Sequence, residues 1–235
     1  MIELKCFNSL RNSDKVLSKQ GLDFYFLGSV DYKNSLEIQN EYVHNAQQVQ
    51  QRDSNSVYCV MGLEHPSVIT LGLRAHRKDL QELGLEQLTY PIYKIKRGGL
   101  ATIHNPGQLV IYPILDLKKY NLSVKCFVSL LFQTTQKTLQ DFGICSDIDL
   151  DKNPGVYTNI GKIAFCGLQI QNGITSHGLS ININNDLTDF NKIQSCGVNH
   201  AQFDRVQNYS SDVTTIDFYK LWSRNFSIKN QLICN

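Results

Sequence analysis

The 235-residue sequence is sparing in several things at once, with five prolines, two methionines, one tryptophan and a charged fraction of only 19%. Its 23 basic and 21 acidic residues leave a net charge of +2, too small an excess for the electrostatic footprint of a nucleic-acid binder. Membrane insertion is not indicated either. The longest uncharged stretch, Ile163 to Asn185, is too rich in Gln, Asn, Thr and Ser to cross a bilayer. None of the seven cysteines (Cys6, Cys59, Cys126, Cys145, Cys166, Cys196, Cys234) forms a CxxC pair, which excludes a zinc ribbon and a thioredoxin-like redox motif. The six histidines show no ligand spacing, so neither a metal nor another cofactor is expected. Scattered thiols of odd number point to a reducing compartment, and the first residues lack the apolar core of a secretory signal. The expectation is a soluble, cytoplasmic protein. With no linker, repeat or charge block to divide it, residues 1–235 read as one domain.

What is present is patterned. Residues Gly28 to Arg52 carry apolar positions at helical spacing. Val57–Leu63 and Ser67–Gly72 read as short strands joined by a turn at His65-Pro66. Ile92–Lys96 alternates like a strand with one wet face, and Leu109–Leu117 is apolar enough for a buried one. Ser123 is placed to cap a helix that runs to Gly143. Lys162–Gln171 and Ile174–Asn184 flank Asn172-Gly173, a type I′ hairpin signal, and Ile216–Phe226 reads as a terminal helix. Strands outnumber helices, so the expected fold is α+β with a mixed or antiparallel sheet flanked by helices.

Three segments gather Gly, His and a reactive side chain in uncharged surroundings. The first, Lys96 to Leu117, holds Arg97 before Gly98-Gly99, then His104 and the turn Asn105-Pro106-Gly107. It fits no phosphate-binding fingerprint, and alone it reads equally well as a glycine-rich hairpin. In the second, Gly155 to Asn184, Lys162 is the only Lys, Arg, Asp or Glu between Lys152 and Asp186. An isolated lysine is most often solvated, but this one opens an apolar strand, and a desolvated ammonium loses pKa and becomes useful for proton transfer. The third, Ile193 to His200, places Cys196 directly before Gly197 in a loop-like stretch. Most buried cysteines act as small hydrophobes; a Cys-Gly in a loop has steric access and a nearby backbone N–H.

Together these segments resemble the lipoyl(octanoyl) transferases, the lipoate–protein ligase B family. HPSVITLG at His65–Gly72, RGGLATIHNPGQ at Arg97–Gln108, GVYTNIGKIAFCG at Gly155–Gly167, SHGLSIN at Ser176–Asn182 and CG at Cys196–Gly197 follow that family's motifs in order and with similar spacing. The resemblance implies a biotin/lipoate protein ligase type of catalytic domain. It also implies an acyltransferase moving an octanoyl or lipoyl group from acyl carrier protein to a lysine of lipoyl domains. The implied acceptors are subunits of 2-oxoacid dehydrogenases and the glycine-cleavage H protein. By position, Cys196 matches the nucleophile that becomes a thioester and Lys162 its dyad partner. Arg97, Gly98, Gly99, Leu100, Ala101, Thr102, Ile103 and His104 match one acyl-substrate segment; Phe165, Cys166 and Gly167 match a second, and Gly178, Leu179 and Ser180 a third.

The chemistry is consistent with those roles. An ordinary thiol is only about 3% thiolate at pH 7, so a neighbouring base or cation is needed. Lys162 could take the thiol proton and later serve the attacking amine. An eight-carbon chain on apolar walls would gain about 5 kcal/mol. Where the family commonly has Gln, Tyr, Gly and Pro, this chain has Leu100, Ile103, Asn105 and Ser195, which alters polarity around the acyl site and leaves the two reactive residues in place. Two rival readings remain open at this point. An ATP-dependent lipoate or biotin ligase would share the fold and activate a free acid, with no need of Cys196. A non-catalytic carrier-protein binder would use Lys94, Lys96 and Arg97 as a docking patch.

Overall fold

The computed structural model describes residues 10, 14–50, 58–75, 89–193 and 202–228. Its frame is an eight-stranded mixed sheet. Along the chain the strands are β1 (Lys15–Lys19), β2 (Leu22–Ser29), β3 (Tyr58–Glu64), β4 (Val68–Leu71), β5 (Ile92–Lys94), β6 (Ala101–His104), β7 (Gln108–Ile114), β8 (Asp147–Asp149), β9 (Gly155–Tyr157), β10 (Lys162–Gln171) and β11 (Ile174–Asn182). The large sheet runs β1-β2-β3-β7-β11-β10-β9-β8, and a small one runs β5-β4-β6. Of the strand pairs among the described residues, only β2–β3 and β4–β5 are parallel. The α+β expectation, with a mixed sheet and flanking helices, describes this architecture.

Helices α1 (Tyr32–Gln50), α2 (Val124–Asp141) and α3 (Thr215–Asn225) cover the sheet. Ser123 caps α2 by accepting the Cys126 N–H at 3.2 Å, as its place in the sequence suggests. Thr214 caps α3 in a reciprocal capping box with Asp217. The first helix starts later than its periodicity predicts. Gly28 and Ser29 still belong to β2, and Asp31 begins the helix by accepting the Lys33 N–H at 2.9 Å. The 171–174 hairpin has positive φ at Asn172 (54°) and Gly173 (92°), which is the type I′ requirement. The β1–β2 hairpin, the edge strand β8 and its neighbour β9 carry weaker patterns, which predict no strand there. Across His65-Pro66 the chain turns as expected, but β3 and β4 enter different sheets.

The two faces of the large sheet differ. A Cβ on Gly62 would lie 2.5 Å from the Tyr219 ring of α3, so that face of β3 is covered by helix. Gly62 is registered with Ile111 of β7, and the next residue, Tyr112, therefore points the other way, toward α1 and the small sheet. The first face buries Phe127, Leu131, Phe218, Tyr219 and Trp222 in the main core. The second face encloses a cavity. Among the described residues no helix is long and apolar enough to cross a membrane.

Candidate active site

The cavity has a volume of about 670 Å³ and lies between β7, β11 and β10 on one side and the Arg97–His104 segment on the other. Among the described residues on its wall there is no Asp or Glu, while Arg97 and Lys162 both face it. Lysine 162 opens β10 and is only 7% exposed. Its ammonium donates to Asn153 Oδ1 at 2.9 Å and to the Pro154 carbonyl at 2.8 Å. It also sits 5.1 Å from the Phe165 ring centre and 5.4 Å from that of Tyr157, within cation–π range. Burial pulls its pKa down to about 8, with Asp149 and Cys166 opposing weakly.

Local sequence makes this placement. The Asp149 carboxylate accepts N–H groups from Asp151, Lys152 and Asn153, folding the loop that delivers Asn153 and Pro154 to the ammonium. Gly155 is required beside it, because a Cβ there would lie 2.3 Å from Lys162 Cε and 2.8 Å from the Ala164 carbonyl. On the other side, Lys162 N–H donates to the Gln202 carbonyl at 2.9 Å and Asp204 N–H to the Lys162 carbonyl at 3.0 Å. Asp204 is fully buried. Its carboxylate is satisfied by Thr158, Tyr209 at 2.7 Å, the Arg205 N–H at 2.8 Å and Asn208 at 2.6 Å.

The Arg97 guanidinium is buried and pairs with no carboxylate among the described residues. It donates to Thr70 Oγ1 (2.9 Å from Nη2) and to the Thr70 (2.8 Å) and Gly98 (2.8 Å) carbonyls. Burial lowers its pKa to about 10. The adjoining glycines make room. A Cβ on Gly72 would come within 2.9 Å of Arg97 Nη1 and 2.5 Å of the Gly99 carbonyl. Two buried histidines, His104 and His177, stand on this wall and a third, His65, lies behind it against Tyr112, each held neutral by desolvation, with pKa values near 4 for His65, 3 for His104 and 4 for His177. His65 donates from Nδ1 to the Val30 carbonyl at 2.6 Å, so its Nε2, 2.8 Å away, accepts the Tyr112 hydroxyl. His177 has φ of +55°, a left-handed conformation inside a strand that costs a non-glycine residue about 1–3 kcal/mol. Gln39 of α1 holds it by accepting the His177 N–H at 2.8 Å.

Most residues singled out in the sequence converge here. Arg97, Gly98, Gly99, Leu100, Ala101, Thr102 and His104 line the cavity, as do Lys162, Phe165, Cys166, Gly167, Gly178, Leu179 and Ser180. Ile103 does not. It is fully buried in the small apolar cluster with Ile69, Leu71, Ala75 and Phe190, because neighbours on a strand point to opposite faces. Cys166 is on the wall, but burial pushes its thiol up to about 12, which favours the protonated form at neutral pH. Cys196 and Ser195 lie outside the described residues. Sequence reasoning did not assign roles to Tyr32, Tyr112, Asn153 or Asp204, which the fold brings to this region. The Asn153-Pro154 dipeptide ahead of Gly155 was the one available signal, as a turn marker.

Residues 31–227 match the lipoyl protein ligase A/B catalytic domain family. An octanoyltransferase of Chromobacterium violaceum is 36% identical over 191 residues, covering 81% of this chain and 87% of that protein. An octanoyltransferase of Solibacter usitatus is 38% identical over 174 residues, covering 73% and 76%. In three dimensions the chain is similar to a lipoate-protein ligase A solved with ATP. The TM-score is 0.63 at 13% identity, over 87% of this chain and 83% of that one, which speaks to the fold alone.

Proposed function

The chain belongs to the family of lipoyl protein ligase A/B catalytic domains, and from that premise we infer that it is an octanoyltransferase of protein lipoylation. The donor in this reading is an octanoyl thioester on acyl carrier protein, and the acceptor is a lysine of a lipoyl domain. The observation that carries it is Lys162, a buried ammonium on the wall of a cavity large enough for an acyl chain, with its pKa lowered to about 8 and no carboxylate among the described residues of the wall.

Cys196 is the nucleophile in this proposal. Six positions separate it from Phe190 and six from Gln202, and both of these residues line the cavity. The backbone bonds of Gln202 and Asp204 to Lys162 tie the exit of that segment to the lysine. The Cys196 thiol gives its proton to neutral Lys162, and the thiolate attacks the donor's carbonyl carbon. A new C–S bond forms, the bond to the carrier's thiol breaks, and the departing sulfur takes the proton from Lys162. In the second half a neutral lysine amine attacks the enzyme thioester. The C–N bond forms, the C–S bond breaks, and one amine proton returns through Lys162 to the Cys196 sulfur. An amide is far more stable than a thioester, so the sequence runs without ATP.

Incubation with octanoyl-acyl carrier protein in the absence of ATP is the direct test. Intact-mass spectrometry is expected to show a hydroxylamine-sensitive octanoyl adduct that disappears in Cys196→Ser. No adduct, or one that survives this substitution, would overturn the thioester route. Transfer that starts only with ATP and free octanoate would instead identify a ligase.

A further inference from the structure

Beneath the cavity runs a chain of buried amides whose direction can be read from its ends. At one end Asn182 Nδ2 donates to the Asp204 carbonyl at 3.0 Å, and a carbonyl can only accept. Asn182 Oδ1 therefore faces Gln108, whose Nε2 donates to it at 2.9 Å. Gln108 Oε1 is left to face His104 Nδ1 at 2.7 Å, so that nitrogen must carry the proton. A second carbonyl fixes the same order from another side. Asn105 Nδ2 donates to the Asp186 carbonyl at 2.7 Å, which turns Asn105 Oδ1 to Asn185 Nδ2 at 3.0 Å. The same Asn185 Nδ2 also lies 3.3 Å from Asn182 Oδ1. Reversing the Asn185 amide would set oxygen against two oxygens, and it stays as it is although its own Oδ1 finds no partner.

We propose that this ladder holds His104 in its Nδ1–H form, so that Nε2 is a fixed hydrogen-bond acceptor at the cavity for an N–H of the incoming lysine amine. Nε2 makes no hydrogen bond among the described residues, and the ring lines the cavity. The reacting end of an acyl thioester carries no hydrogen-bond donor; the amine of the second substrate does. His104, in the small sheet, is tied through Gln108 to the end of the large sheet that carries Lys162. Gln108 is registered with Asn182, the neighbouring Ile181 with Ala164, and Asp204, whose carbonyl anchors the ladder, donates its N–H to the Lys162 carbonyl. The two groups then divide the work. One amine proton leaves by Lys162 as the C–N bond forms and the C–S bond breaks. His104 holds the other, which remains as the N–H of the product amide. Burial keeps the imidazole from becoming imidazolium at working pH, so it orients the amine and accepts no proton. Gln108 and Asn182 are positioning residues acting through His104.

The inference rests on the octanoyltransferase reading, and two measurements keep the failures apart. Two-bond 1H–15N correlation on histidine-labelled protein, assigned with His104→Gln, is expected to show the Nδ1–H tautomer of His104 without titration from pH 6 to 8. An Nε2–H tautomer or an imidazolium in that range would refute the ladder's direction, whatever the activity. In single-turnover assays Gln108→Met is expected to slow transfer from the enzyme thioester to a lipoyl domain about tenfold more than it slows acylation by octanoyl-acyl carrier protein. Equal loss in both halves would overturn the role at the amine. Failure of the unmodified chain to form a thioester at all would defeat the parent reading and that role together, and the NMR result would still decide the ladder.

Discussion

The two faces of the large sheet bury polar groups in opposite ways. Between α2 and α3 the polar atoms are neutral and locally paired. Thr134, Thr135 and Thr138 donate to carbonyls one turn back at 2.8 Å, and Trp222 Nε1 donates to Thr135 Oγ1 at 3.1 Å. Around them Trp222 stacks on Phe226 and Tyr219, and Phe218 on Phe142. On the cavity face the buried cations Lys162 and Arg97 are satisfied by carbonyl, amide and hydroxyl oxygens and, among the described residues, not by carboxylates. One face is arranged for stability; the other keeps cations at a cost in stability. A desolvated cation without a counter-ion is a poor structural element and a useful chemical one.

The sharpest way to test that contrast is Lys162→Met, which keeps the stem and removes the charge. Octanoyl transfer is expected to fall by about 10²–10⁴-fold in a steady-state assay. Thermal unfolding at pH 7 should nevertheless show a variant more stable by about 1–2 kcal/mol, after allowance for the acceptors left at Asn153 and Pro154. The sign follows from linkage. The folded-state pKa of Lys162, about 8, lies below its ordinary value of 10.5, so the unfolded chain binds more protons between these values. Wild-type stability therefore gains on the variant as pH rises from 8 toward 10, and the stability difference between the two should narrow over that interval. A difference independent of pH would count against a depressed lysine.

An effect of the opposite kind is expected on the helical face. Trp222→Ala should lose about 3–5 kcal/mol in denaturant unfolding while the folded fraction retains its transfer rate. Loss of activity without loss of stability would mean that the two faces are not separable in this way. The mildest substitution is Gly155→Ala, which adds a methyl where Lys162 Cε now lies. We expect about a tenfold loss of transfer with about 1–3 kcal/mol of stability lost, because the lysine end can move but the Ala164 carbonyl, 2.8 Å from the new methyl, is strand backbone that must shift. A fully active Gly155→Ala protein would show that the lysine position is less constrained than the geometry indicates.

Legibility in the sequence divided along the same lines. The α2 helix, its Ser123 cap and the 171–174 hairpin were readable because each depends on residues within one or two turns of one another. Segment resemblance located the cavity wall, Lys162 included, but assigned Ile103 to it with its neighbours; strand alternation turns that side chain to the small cluster. The weakly patterned edge strand β8 and its neighbour β9 were not readable, although they build the loop that receives Lys162. Asp204, in no motif, is a buried hub.

Local order, then, was already written in the chain: where helices begin, where the hairpin turns, and which side chains are able to react. Only the tertiary structure decided which of them lost water, which cation went without a counter-ion, and which nitrogen of His104 carries the proton. Those are properties of the field and the hydrogen-bond geometry around a group, and atoms far away in sequence supply both.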